Sequence, residues 1–201
     1  MASEVQICNL ALGHCGVSTP IASLDEASKE AQACKLFFEQ ERDTVLRDFP
    51  WPFATRIAAL ALVEEAPNSE WAFSYRYPTD CLRLRRVLNP AGRNDSRQSR
   101  LSYRLANDTQ GTLILTDEAE ASIEYTVRIS NAGLFSPDFV SALALRLAAM
   151  IAPQLTGGDP FKLGERALRL YILAMGTAQA SALNEEQADD APDAEYIRAR
   201  E

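Results

Sequence analysis

Apolar side chains recur at helical spacing near both ends of this chain and at every second position through its middle. Val5, Cys8, Leu12 and Cys15 share one face of a first helix, opened by the capping box Ser3-x-x-Gln6 and closed by Gly13 and Gly16. After the loop at Pro20, Ser23-x-x-Glu26 reads as a second capping box. It starts a long helix with Ala27, Ala31, Cys34, Phe38, Val45 and Phe49 on its face, and Pro50 stops it.

From about Ala54 to Ser130 the period becomes two. Phe73-Tyr75-Tyr77, Leu82-Leu84 with Val87, Leu101-Tyr103-Leu105, Leu113-Leu115 and Ile123-Tyr125-Val127-Ile129 each place side chains on one face of a strand. Turn residues at Pro67-Asn68-Ser69, Pro78-Thr79-Asp80, Asn89-Pro90-Ala91-Gly92, Asn107 to Gly111 and Asp117-Glu118 separate them. Five or six strands joined by short turns predict an antiparallel sandwich or barrel.

Helical period returns where Ser136 can cap and Pro137 takes the first helical position. Phe139, Leu143, Leu147, Met150 and Ile151 form a face wide enough to place this helix centrally. Gly157-Gly158 ends it, and Asp159-Pro160 starts a last helix through Phe161, Leu168, Tyr171, Ile172 and Met175 to about Leu183. The expected fold is α+β: residues 1–53 and 131–184 form one four-helix bundle, interrupted by a β-domain over 54–130. Residues 185–201 carry few core side chains and are expected to be an extended tail, mobile when free.

Net charge refines this. At −8 over 201 residues, the chain lacks the basic surplus that phosphate-gripping proteins use. The acidity sits at the ends: residues 1–54 hold four basic and eight acidic side chains, 55–130 ten of each, and 185–201 two and seven. Lys29, Lys35 and Lys162 are the lysines among 20 basic residues; the rest are arginine. Arginine suits planar interface contacts, and a GC-rich genome gives the same bias. The chain has no uninterrupted run of about 18 apolar residues and no signal-peptide pattern, so neither membrane insertion nor export is expected. Cys8, Cys15 and Cys34 fall on apolar helix faces and Cys81 in a strand, without metal spacing. They read as reduced, mostly buried thiols of a protein made in the cytoplasm.

Little in the sequence points to catalysis. His14 and Cys15 are adjacent, so on a helix they point about 100° apart. Asp117, Glu118 and Glu120 occupy a turn with nothing beside them to separate their pKa values. Gly157-Gly158-Asp159 lacks the Lys-Ser/Thr of a phosphate loop, and one histidine with scattered thiols makes no metal set. No cofactor is expected. Arg93, Arg97 and Arg100 punctuate a polar loop, either as a solvated tip or as transient contacts to phosphates. In the acidic tail, Tyr196, Ile197, Arg198 and Arg200 are interface-type residues.

The densest feature runs from Phe49 to Val87, F-P-W-P-F-A and later W-A-F-S-Y-R-Y-P-T-D-C-L-R-L-R-R-V. Trp51, Phe53, Trp71 and Tyr75 read as a structural joint where a proline-stopped helix meets a sheet. The order Trp51, Phe53-Ala54, Trp71, Tyr75, Pro78, Asp80-Cys81-Leu82-Arg83, preceded by the helix motif Asn9-x-Ala11-Leu12, resembles the tail tubular protein A family of tailed bacteriophages, the head-to-tail adaptors. The pattern is densest from Ile7 to Val87.

That resemblance implies a structural virion protein at the head-tail junction, without enzymatic activity. It implies a homo-oligomeric ring, dodecameric in the family, that docks under the portal protein and connects it to the next tail or nozzle protein. Double-stranded DNA would pass transiently through its channel during genome ejection. The tail residues Tyr196, Ile197, Arg198 and Arg200 would dock on the portal, and Arg93, Arg97 and Arg100 would line the lumen or the tail-side loop. From another class stands an enzyme with a pocket in the β-domain, which a cleft holding a shifted titratable group would favour.

Overall fold

A computed structural model of the chain describes residues 2–88 and 101–185. Its architecture is α+β: among the described residues, four α-helices flank two antiparallel sheets.

Helix α1, Glu4–His14, begins with the expected capping box: Ser3 Oγ accepts from Gln6 N at 3.2 Å and Gln6 Oε1 from Ser3 N at 3.1 Å. Gly16 follows it in the left-handed region, at φ +73°. The second capping box is not a helix start. Glu26 Oε1 instead accepts from Ala22 N (2.6 Å) and Ser23 N (2.9 Å) within a turn. Helix α2, Lys29–Asp48, starts one turn later, because Ser28 Oγ is placed to accept from Ala31 N.

Helix α3, Pro137–Leu155, is capped by Ser136 with Pro137 at the first helical position. Phe139, Leu143, Leu147, Ala148 and Ile151 are fully buried along it. Helix α4, Leu163–Glu185, follows Gly157 and Gly158, both at positive φ. Asp159 rather than Pro160 sets its start, accepting from Leu163 N (2.6 Å) and Gly164 N (2.9 Å). A Cβ at Gly164 would meet Ala149 O at 3.0 Å, so glycine lets α4 approach α3 closely.

The helices α1, α2 and α4 pack chiefly on α3 and little on one another. The closed square of a four-helix bundle, with each helix on two neighbours, is not evident; α3 is a hub. By length and composition α3 could cross a membrane (19 residues, hydropathy 1.3), Asp138 and Arg146 notwithstanding. In this fold it is the central core helix.

Among the described residues the β-domain has seven strands: β1 Thr55–Ala59, β2 Leu62–Glu65, β3 Phe73–Arg76, β4 Cys81–Leu88, β5 Tyr103–Asp108, β6 Gly111–Thr116 and β7 Ser122–Val127. One sheet has order β1-β7-β4 and the other β2-β3-β6-β5, every pairing antiparallel. Residues between β1 and β2 turn the corner between sheets: Leu60 N donates to Ala121 O, while Ala61 O accepts from Arg76 N. A second core forms from Leu84, Val87, Ile123, Tyr125 and Val127 of the first sheet against Tyr75 and Ile114 of the second.

Two details depart from the alternation. Ile114, rather than Leu113 and Leu115, enters this core, in register with Tyr75 and Leu105. In β4 a register shift between Leu84 and Arg86 lets Leu84 and Val87, three apart, both face inward.

Candidate functional site

The helix-to-sheet joint is built where α2 stops. Proline at 50 and 52 ends helical bonding, and a short 3-10 turn, Pro52–Ala54, leads into β1. Trp51 folds back beneath the helix end, 2% exposed, its indole N–H donating to Val45 O at 2.9 Å. Its ring meets Phe49 (centroids 5.0 Å, 82°) and Phe139 (5.2 Å, 88°) edge to face. Phe53 extends the cluster to Phe135 at 5.8 Å.

Of the four residues expected at the joint, the structure brings together Trp51 and Phe53. Tyr75 instead belongs to the β-domain core, where its hydroxyl donates to Glu118 O at 2.8 Å. Trp71 lies in the loop before β3, and its buried indole N–H has no hydrogen-bond partner among the described residues. Sequence order placed all four in one stretch, but strand β3 carries Tyr75 into the sandwich.

The other half of the joint is two arginines. Arg83 and Arg85, two apart on β4, reach the last carbonyls of α2: Arg83 Nη1 donates to Arg47 O (3.1 Å), and Arg85 Nη2 to Arg47 O (3.0 Å) and Leu46 O (3.4 Å). Arg85 Nε also donates to Thr126 Oγ1 on β7 at 2.8 Å. Cations here satisfy orphan carbonyls and the negative end of the helix dipole. Burial lowers the pKa of the Arg85 guanidinium. A second tie pairs Arg128 Nε with Asp43 Oδ2 at 2.9 Å. Leu82 and Ile129 pack against the helical core from the sandwich side, and Ile129 touches both cores.

A polar network ties the helices. Glu41, 1% exposed, accepts from Arg146 Nε at 2.7 Å, and the Arg146 guanidinium lies over the Tyr171 ring, 5.6 Å from its centroid. Tyr171 donates to Asp48 Oδ2 at 2.5 Å. Burial and the adjacent Asp48 carboxylate push the Tyr171 phenol up. Helices α2, α3 and α4 each contribute, and the groups satisfy one another.

His14 points outward while Cys15 is buried and donates to Ala148 O at 3.4 Å, so the two do not meet. Burial raises the Cys15 thiol to about 11. Cys8 of α1 and Cys34 of α2 are buried together, and the hydrogen bond with the Cys34 sulfur, then burial, pushes the Cys8 thiol up. Asp117 serves the sandwich, accepting from Ala72 N at 3.0 Å. Among the described residues no cluster could hold a metal ion. Two shallow depressions of about 300 and 270 Å³ lie on the helical part, the first lined by α2 and α3, the second by α1 and α4. Lys29, Gln32 and Gln154 line the first, and His14 and Arg166 line the second, each beside apolar neighbours.

What the helical surface does offer is apolar. Leu10 of α1, Leu36 of α2 and Phe161, Ile172 and Leu173 at α4 are exposed, Phe161 by 79%. Of the apolar residues that mark the last helix in the sequence, Tyr171 and Met175 are buried, while Phe161, Leu168 and Ile172 are exposed. Arg93, Arg97, Arg100, Tyr196, Ile197, Arg198 and Arg200 lie outside the described residues. Compared with known protein families and with curated proteins, the chain matches none.

Proposed function

We propose that this chain is a structural virion protein, a head-to-tail adaptor of a tailed bacteriophage. Copies assemble as a ring beneath the portal and connect it to the next tail component. The observation that carries the proposal is the surplus of exposed large apolar side chains on the helical part, chiefly on α4. A single copy leaves this surface in water, which suits a subunit that works in an assembly.

Two further observations support it. The residues of the Phe49–Val87 stretch resemble the adaptor family, and part of that stretch builds the joint, with Trp51, Phe53 and Arg83 in place. The joint itself is a clamp of charge-assisted hydrogen bonds over an aromatic cluster, a construction that fixes one domain on another and transmits load rather than turning over substrate. In this reading the ring's channel passes DNA without gripping it, consistent with a net charge of −8. Arg93, Arg97 and Arg100 supply at most transient phosphate contacts, and the segment after Glu185 carries the portal contact through Tyr196 and Ile197.

Capture of purified portal protein from the same phage tests this. Stable co-sedimentation of many copies per portal is expected, and portal that sediments alone at high concentrations of this chain overturns the proposal.

A further inference from the structure

Helix α4 is tied to the end of α2 by one polar contact. Among the described residues, the Tyr171 hydroxyl makes the only side-chain hydrogen bond from α4 to another helix, donating to Asp48 Oδ2 at 2.5 Å. Otherwise α4 rests on α3 through Gly164 and the buried Ala167, Tyr171 and Met175. The Tyr171 ring is fixed in turn: it is buried, and the Arg146 guanidinium of α3 lies over it, held by the Glu41 carboxylate at 2.7 Å. The hydroxyl therefore reaches Asp48 from a position that the seating of α4 on α3 determines.

Asp48 stands where a helix disfavours a carboxylate. It is the last residue of α2, at the negative end of the dipole and beside the orphan carbonyls of Leu46 and Arg47. Two groups offset this: the Tyr171 hydroxyl and the Arg85 guanidinium, whose charged form Asp48 favours. The same Arg85 donates to Leu46 O and Arg47 O and to Thr126 Oγ1 of the sandwich. Asp48 thus lies between the side chain that ties α4 down and the side chain that grips the β-domain.

We infer that the Tyr171–Asp48 hydrogen bond is a latch through which the seating of α4 sets how firmly the Arg83 and Arg85 clamp holds the β-domain. With the bond made, the end of α2 is fixed and its carbonyls stay under the two arginines. With α4 displaced, Asp48 loses its donor at the negative end of the helix, the last turn frays and the clamp loosens. By linkage the effect is reciprocal, so a contact that steadies the β-domain also steadies α4. The latch acts within one copy and does not depend on the adaptor reading.

Hydrogen exchange on the full chain tests it. Tyr171→Phe deletes one hydroxyl and keeps the ring over Arg146, so the fold is retained. Amides at the clamp, in residues 83–85 and 125–127, should exchange about tenfold faster or more, the change that losing a hydrogen bond to a charged group brings. The β5 and β6 amides of the other sheet should keep their wild-type rates. Asp48→Ala should speed the same clamp amides, and the double variant should go no faster than Asp48→Ala alone, since both substitutions break one bond. The inference is overturned by clamp amides that exchange at the wild-type rate or slower in Tyr171→Phe, or by two substitutions whose effects add. Acceleration spread evenly over both sheets, which a merely structural role for Tyr171 would give, also overturns it.

Discussion

Truncating Trp51 to alanine removes the centre of the joint. The indole is 2% exposed and touches Phe49, Phe53 and Phe139. A buried aromatic of about 150–250 Å² represents roughly 4–6 kcal/mol of transfer free energy at 25 cal/mol/Å², of which the remaining Cβ and partial collapse recover some. Loss of the indole N–H also strands the Val45 carbonyl under the helix end, adding about 1 kcal/mol. The net cost should fall at about 3–5 kcal/mol, the range for an emptied aromatic site. Trp51→Phe keeps most of the apolar area and loses the hydrogen bond, so it should cost about 1–3 kcal/mol. Urea unfolding followed by far-UV circular dichroism reads both, with an unchanged slope as the check that the unfolding unit is the same. A loss below about 1 kcal/mol for Trp51→Ala would refute the claim that this residue holds the joint.

Three other outcomes are expected. Arg146→Ala leaves the Glu41 carboxylate buried without its cation; because the Arg146 side chain is 24% exposed, the cost should sit near the lower end of about 3–5 kcal/mol, and denaturant unfolding measures it. Arg76 pairs with both oxygens of Asp108 (3.0 and 2.9 Å) and holds that carboxyl down at about 2. A depressed folded-state value means the pairing contributes in full above the ordinary carboxylate range and fades as pH falls through about 2; an NMR titration should show this midpoint, and Arg76→Ala should raise it toward the ordinary range, with the Gln110 N–H still donating to the carboxylate. Deleting residues 186–201 should leave the melting temperature nearly unchanged and abolish portal capture. Within that segment, alanine at Tyr196 and Ile197 should weaken capture more than alanine at Arg198 and Arg200; equal capture with and without the segment contradicts the docking role.

How much of this was legible in the sequence differs by element. Caps spelled locally were readable: Ser3-x-x-Gln6 and Ser136-Pro137 act within four residues of themselves. Ser23-x-x-Glu26 has the same spelling, yet the Glu26 carboxylate closes a turn, and only the competing Ser28 cap reveals that. Strands β1 and β2 were missed because T-R-I-A-A and L-V-E-E are short and half polar, with their pairing supplied by β7 and β3, far along the chain. At Leu113-Ile114-Leu115 three apolar residues in a row leave the register undetermined, and the cross-strand partners Tyr75 and Leu105 decide it. Phe49, Trp51 and Phe53 announced a joint by composition. The Arg83 and Arg85 clamp was hidden, since nothing local tells an arginine on a strand that a helix end lies opposite. The exposure of the α4 flanks was hidden for the same reason: periodicity finds apolar faces but not how many neighbours will cover them.

Electron cryo-microscopy of purified portal complexes mixed with this chain tests the central claim most directly. The adaptor reading predicts a closed ring of this chain seated on the tail-facing side of the portal, with an open channel on the portal axis. Portals that remain bare at saturating concentrations, or single copies bound without neighbours, would contradict it.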